Sequence, residues 1–248
     1  MVSTRQHPEE YYPSSGNDNG IARSASKGSS TAGKKAGHTP STITLLWLLF
    51  AIPLVLWDTV YVLLRPHTMP GGKLHSPFFK PYALYGSVDY TYGWPAYKSG
   101  HGFPAGQGLM NLFETLAYIF YVTTVYRYGT TATGSGRAST KNVRKGLTWL
   151  LFEEKVVGGR VGSLAVLIAF SASVATFSKT VLYWVMEAFA HFDNVGHNPL
   201  FRLIFLWVVP NGLWLVFPGY MMYVFGQEIL SALESAPPRP KAGRSKEA

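Results

Sequence analysis

Four ionisable side chains interrupt otherwise apolar stretches of this chain: Asp58, Glu114, Lys179 and Glu187. Each costs at least ~2.5 kcal/mol at the centre of a membrane helix on insertion scales, so such groups face an interior or a cavity and are functional candidates by default. Carboxyls in a dry cavity suit proton transfer. One acid protonates an alkene, a π face or carboxylate stabilises the carbocation, and a second base removes a different proton. The outcome is double-bond migration, or cyclisation where another alkene captures the cation. On this reading Glu114 is the proton donor, Asp58 or Glu187 the acceptor, and Trp214 the face that steadies the cation. Lys179 stands two helical turns before Glu187 and serves as a charge partner for a carboxylate. The same residues fit a pocket that only binds a cationic amphiphile, with Asp58 facing the ammonium.

Neighbouring polar groups share the spacing of these acids. Asn111 lies three residues before Glu114, and Asn211 three before Trp214, so each pair occupies one helical face. The histidines His67, His75, His101, His191 and His197 show no metal-ligand spacing, and there is no cysteine. A disulfide frame, a thiolate nucleophile and a cysteine-ligated metal are therefore excluded. No metal and no cofactor are expected.

Positioning these groups takes long helices. Aromatic residues make up 15% of the 248 residues and charged ones only 14%, against roughly 25% charged in soluble domains. Spanning hydrocarbon takes about 20 helical residues. Four segments qualify: 43–64, about 109–126, about 161–189 and about 203–225. They are apolar around the whole helix rather than along one stripe. Pro53, Pro210 and Pro218 fall inside them and read as kinks. The fold class expected is all-α: a polytopic membrane protein built as a four-transmembrane-helix bundle.

Residues 1–40 and 231–248 are polar and read as disordered tails, leaving 41–230 as the membrane domain. An even number of spans puts both tails and the loop between the second and third spans on one side. Sixteen of the 22 lysines and arginines lie there and five on the other, so tails and middle loop are expected in the cytosol. The net charge of +9 is thus topological, and no nucleic-acid partner is expected. Within the middle loop, "TWLLFEEKVVGG" is either an interfacial helix or an ordinary loop. The aromatic-rich stretch "YGSVDYTYGWPAYKSGHGFPAGQG" reads as a lid over the bundle mouth.

The stretches "WDTVYVLLRP", "KPYALYGSVDYTYG", "NLFETLAYIFYV", "TVLYWVMEAF" and "GHNPLFRLIFLWVVPNGLWLVFPG" resemble the emopamil-binding protein family, also called the EXPERA domain, over about residues 43–230. The resemblance implies an intramembrane ligand cavity opening toward lipid and a place in the endoplasmic reticulum membrane. It implies sterol 8,7-isomerase-like proton transfer, or binding of sterols and cationic drugs. By motif, Asp58, Glu114 and Glu187 take the places of the family's span carboxylates. Asp89 and Tyr92 match its loop Asp and Tyr, and Asn211 and Trp214 its fourth-span pair. With Asn111 and Trp184 these complete the expected substrate-binding set. Leu54 stands where the isomerases carry a histidine and Ala117 where they carry a threonine. The implied ligand is a sterol or terpenoid-like lipid, with membrane lipids as the other partners, and a homodimer is compatible. A proton-initiated cyclase of terpenoid or polyketide metabolism, or a non-catalytic binder of sterols or amphiphilic amines, remain alternatives.

Overall fold

The computed structural model describes residues 37–132 and 146–236. The tail expectations for residues 1–36 and 237–248 lie outside the described residues. Residues 37–40 and 231–236, read from the sequence as tail, are among the described residues, with a short strand at Gly37–His38 and a helix running to Glu234.

The described chain is mostly helical. β1 (Gly37–His38) leads into α1 (Thr42–Leu63). A cap of short elements follows: α2 (Pro81–Val88), a 3-10 turn (Tyr90–Tyr92) and α3 (Trp94–Lys98). Next come α4 (Phe103–Tyr128), β2 (Thr130–Thr131), α5 (Leu147–Phe152), β3 (Lys155–Gly158) and α6 (Gly159–Phe189). The last long rod joins α7 (Leu200–Leu203), a π-helical turn (Ile204–Val208) and α8 (Val209–Glu234).

Local chemistry sets the helix starts. The Ser41 hydroxyl accepts from the Thr44 N–H at 3.1 Å and caps α1, filling one of the first-turn donors a helix leaves open. Pro104 sits in the first turn of α4, where its missing N–H costs nothing. Gly159, at φ +67°, turns the chain from β3 into α6, a conformation that side chains with a Cβ disfavour. Gly162 lets that first turn lie against β3, since a Cβ there would meet the Val157 carbonyl at 2.2 Å.

Among the described residues three helices are long and apolar enough to cross a membrane: α1, α6 and the continuous rod Leu200–Glu234. Three of the four expected spans therefore meet that test by length and composition, and the remaining one, the second, does not. The fourth long helix, α4, has 26 residues but carries Gln107, Asn111, Glu114, Thr115 and Thr124. Much of its polarity points inward. Glu114, Thr115, Tyr118 and Thr124 are buried, while Leu109, Met110, Phe113, Leu116 and Phe120 are exposed. A helix with its polar side inward and its apolar side outward averages to a modest hydropathy.

The long helices pack as neighbours, α1 on α4, α4 on α6 and α6 on α8. Small residues line the buried side of α6: Ala165, Ala169, Ala172 and Ser173, which permits close approach. The main core includes Leu45, Leu48, Tyr121, Val125, Trp149, Met221 and Phe225. Trp47 stacks on Phe217 at 4.3 Å and meets Trp214 edge-on at 5.1 Å, joining α1 to α8.

At one end the chain ties itself together with a small antiparallel sheet, β3 lying between β1 and β2. His38, buried in β1, bonds Tyr121 of α4 and Glu228 of α8, each at 2.8 Å. The stretch "TWLLFEEKVVGG" is neither wholly an interfacial helix nor a loop. Its first half is α5, with Trp149, Leu150 and Leu151 buried in the core, and its second half is β3. At the opposite end the segment after α1 folds back over it, and Tyr85, Tyr92 and Trp94 of the aromatic-rich stretch pack against the cluster it forms. Tyr82 stacks on Tyr61 at 3.7 Å, and Met69 and Phe79 complete that cluster.

Candidate functional site

A cavity of about 380 Å³ lies beneath the cap, within the size range of small-molecule sites. α1 contributes Leu54, Val55, Trp57 and Asp58, and the cap contributes Tyr82, Tyr85 and Tyr92. α4 contributes Gln107 and Asn111, α6 Lys179 and Thr180, and the last rod Leu206, Pro210, Asn211 and Trp214. The wall is mostly hydrocarbon and aromatic ring with a few convergent polar groups. The rod meets it at the π turn, whose extra residue re-aims the helix before Pro210. Asn211 donates to the Trp207 carbonyl at 2.8 Å, which fixes its amide against that turn.

Asp58 is the carboxylate that lines the cavity. One oxygen accepts from the Tyr82 hydroxyl at 2.8 Å and the other from the Asn111 amide at 3.4 Å. The Asn111 carbonyl oxygen accepts from the Lys179 ammonium. Lys179 also forms an ion pair with Glu114 at 2.7 Å, and the Thr176 hydroxyl donates to the same Glu114 oxygen at 2.8 Å. Tyr118 bonds Thr176 at 3.1 Å. One polar chain therefore runs Tyr82, Asp58, Asn111, Lys179, Glu114, Thr176, Tyr118, across α2, α1, α4 and α6.

Glu114 sits behind this chain rather than on the main cavity wall. It lines a second, small void of about 20 Å³ with Thr115, Tyr118, Thr176 and Trp214, room for one water. Its other oxygen is buried with no partner among the described residues.

The remaining expected residues divide. Asn111, Asn211, Trp214 and Tyr92 come together around Asp58. Asp89, Glu187 and Trp184 do not line the cavity. Asp89 is fully buried and accepts from the Thr91 N–H at 2.9 Å, the Thr91 hydroxyl at 2.6 Å, the Tyr183 hydroxyl and the Trp207 indole at 3.2 Å. It pins the cap to α6 and the π turn. Trp184 packs on Trp207 at 4.7 Å. Glu187 accepts from the Asn194 amide at 2.7 Å and holds the turn after α6, where His191 and Phe192 take positive φ. Glu187 therefore stands off the cavity wall, with one oxygen bonded to Asn194 and the other buried without a partner among the described residues.

Sequence reasoning left out Tyr82, Tyr85, Gln107 and Thr180, and gave Lys179 only a pairing role. Thr176 and Thr180 flank Lys179 on one face of α6, a polar stripe legible in the sequence. Tyr82 and Tyr85 carried no signal beyond the aromatic density of the cap. Burial pushes the Tyr85 and Tyr92 phenols well above the ordinary tyrosine range, so both remain neutral hydroxyls. Among the described residues no cluster of His, Asp and Glu has metal-binding geometry. Comparison with protein-family models, with curated proteins and with solved structures finds no match.

Proposed function

We propose that this chain is a membrane isomerase that shifts a double bond in a sterol or related polycyclic terpenoid, using Asp58 as its proton-carrying group. The observation that carries this reading is the different placing of the two carboxylates. Asp58 lines a mostly apolar cavity and is bonded only to neutral groups, Tyr82 and Asn111. Glu114 is matched by Lys179. On this reading Asp58 takes over the donor role that the sequence reading gave to Glu114.

The chemistry closes without a cofactor. The Asp58 acid gives its proton to one alkene carbon, and the π electrons form the new C–H bond. The carbocation left on the adjacent carbon faces the Asp58 carboxylate and the Trp214 ring. The carboxylate then takes a proton from the next carbon, whose C–H electrons become the shifted double bond. Asp58 ends as it began, and no water is consumed. Tyr82 and Asn111 hold its two oxygens in place throughout.

The wider reading is a protein of the endoplasmic reticulum membrane with four spans and both termini in the cytosol. α4 supports a fourth span because Leu109, Met110, Phe113, Leu116 and Phe120 face outward while Glu114, Thr115 and Thr124 are buried. The meeting of β1, β2, β3 and Glu228 of α8 at one end supports the even count. The resemblance to the emopamil-binding family supports the substrate class. The test is complementation of a sterol-isomerase-deficient strain with analysis of the extracted sterols. A shifted double bond is expected. A ring-closed product would assign cyclisation, and no change would overturn the reading.

A second reading is favoured by Asp58 having no cationic group bonded to it. A carboxylate so placed suits the ammonium of an amphiphilic amine, and the chain would then bind without turnover. Amine binding that survives Asp58→Asn argues against it.

A further inference from the structure

Among the described residues Lys179 is the one cation in the cavity wall, and the reaction above gives it no step beyond matching Glu114. An ammonium has three N–H donors and accepts nothing. Two are used, by Glu114 and by the Asn111 carbonyl oxygen. Among the described residues the ammonium makes no third hydrogen bond. A buried donor left without an acceptor is costly, and the cavity is the place where an acceptor can arrive.

We propose that Lys179 is a specificity-determining residue that reads a carbonyl oxygen on the ligand, so that the cavity prefers a ketone over the same skeleton without oxygen. This rests on the ligand class proposed above and narrows it. A carbonyl oxygen offers lone pairs and no proton, which matches a donor-only group. The two atoms that accept from it are the Asn111 carbonyl oxygen and one Glu114 oxygen, which also accepts from Thr176. The same amide that holds Lys179 also holds Asp58, so the oxygen-reading and proton-carrying groups are one side chain apart. A ligand carrying a carbonyl near its double bond satisfies both at once.

The test is equilibrium binding of two probes, androstanone and androstane, to the purified full chain in detergent. Wild type is expected to bind the ketone roughly 10- to 100-fold more tightly, the worth of a hydrogen bond from a charged donor. Because Lys179→Met alone strands Glu114 and can unfold the protein, the variant is Lys179→Met with Glu114→Gln. That variant, shown folded by its thermal transition, is expected to bind androstane as wild type does and to lose the preference for the ketone. Equal binding of both probes by wild type, or a preference retained by the variant, overturns the proposal. Failure here is separable from failure of the isomerase reading. A wild type that prefers the ketone yet shifts no double bond sinks only the latter. One that isomerises without preference sinks only the former.

Discussion

Asp58 and Lys179 bond opposite ends of the same side chain: the Asn111 amide nitrogen donates to Asp58 and its carbonyl oxygen accepts from Lys179. An amide in that position cannot turn around without setting donor against donor and acceptor against acceptor. It therefore fixes the order acid, amide, ammonium, Glu114 along the wall. Replacing Asn111 by Leu keeps the volume but cuts both bonds. Turnover is expected to fall about tenfold or more while the fold persists, the loss expected for one or two positioning hydrogen bonds. Steady-state rates on the native substrate check this.

The buried pair of Lys179 and Glu114 makes a stability prediction. Removing one partner leaves an uncompensated buried charge, at a cost of about 3–5 kcal/mol. Glu114→Gln and Lys179→Met should each lower the thermal transition strongly in detergent. The double replacement should recover much of the loss. A double variant as unstable as the sum of the singles would mean that the two residues are not coupled.

The cap makes a prediction at alkaline pH. Tyr85 and Tyr92 are held neutral in the fold, above the tyrosine value near 10 of an unfolded chain. For a group raised by folding, the stabilisation is complete below the unfolded value and is lost as pH climbs toward the folded one. Stability should fall above pH ~10, by up to about 1.4 kcal/mol per pH unit for each such phenol. Tyr92→Phe should flatten that slope relative to wild type. Melting curves at a series of alkaline pH values read the difference.

Trp214 tests the cation. Trp214→Phe keeps a π face and should keep most activity. Trp214→Leu should lose roughly 30-fold in turnover, the scale of a desolvated cation–π contact. Binding of a neutral ligand should change little. Equal turnover in the two variants would remove the ring from the mechanism.

Much of the fold was legible because its helices announce themselves as apolar runs. The run expected at 43–64 became α1 at Thr42–Leu63, and the third, at 161–189, became α6. The sheet was not legible, since two-residue strands such as Gly37–His38 carry no periodicity. α4 was legible as a helix, but the inward turn of Glu114, Thr115 and Thr124 was not, because apolarity averaged along a run does not show which side its polar residues take. Within the site, Asp58, Asn111, Asn211 and Trp214 were found from type and spacing. Lys179 was set on the same helix face as Glu187, yet it pairs with Glu114 of α4. Spacing within one helix is silent about the residue on the next. Glu187 was chosen for being a carboxyl at membrane depth, but its partner Asn194 lies past the end of α6, where the sequence held no sign of a bond.

The most direct measurement is mass spectrometry of the products formed by wild type and by Asp58→Asn in reconstituted membranes, with Glu187→Gln alongside. The carboxamide keeps the shape of the cavity wall but has no transferable acid proton. The expected result is double-bond migration by wild type and Glu187→Gln, with none by a folded Asp58→Asn. Migration that persists in Asp58→Asn and vanishes in Glu187→Gln would contradict the account.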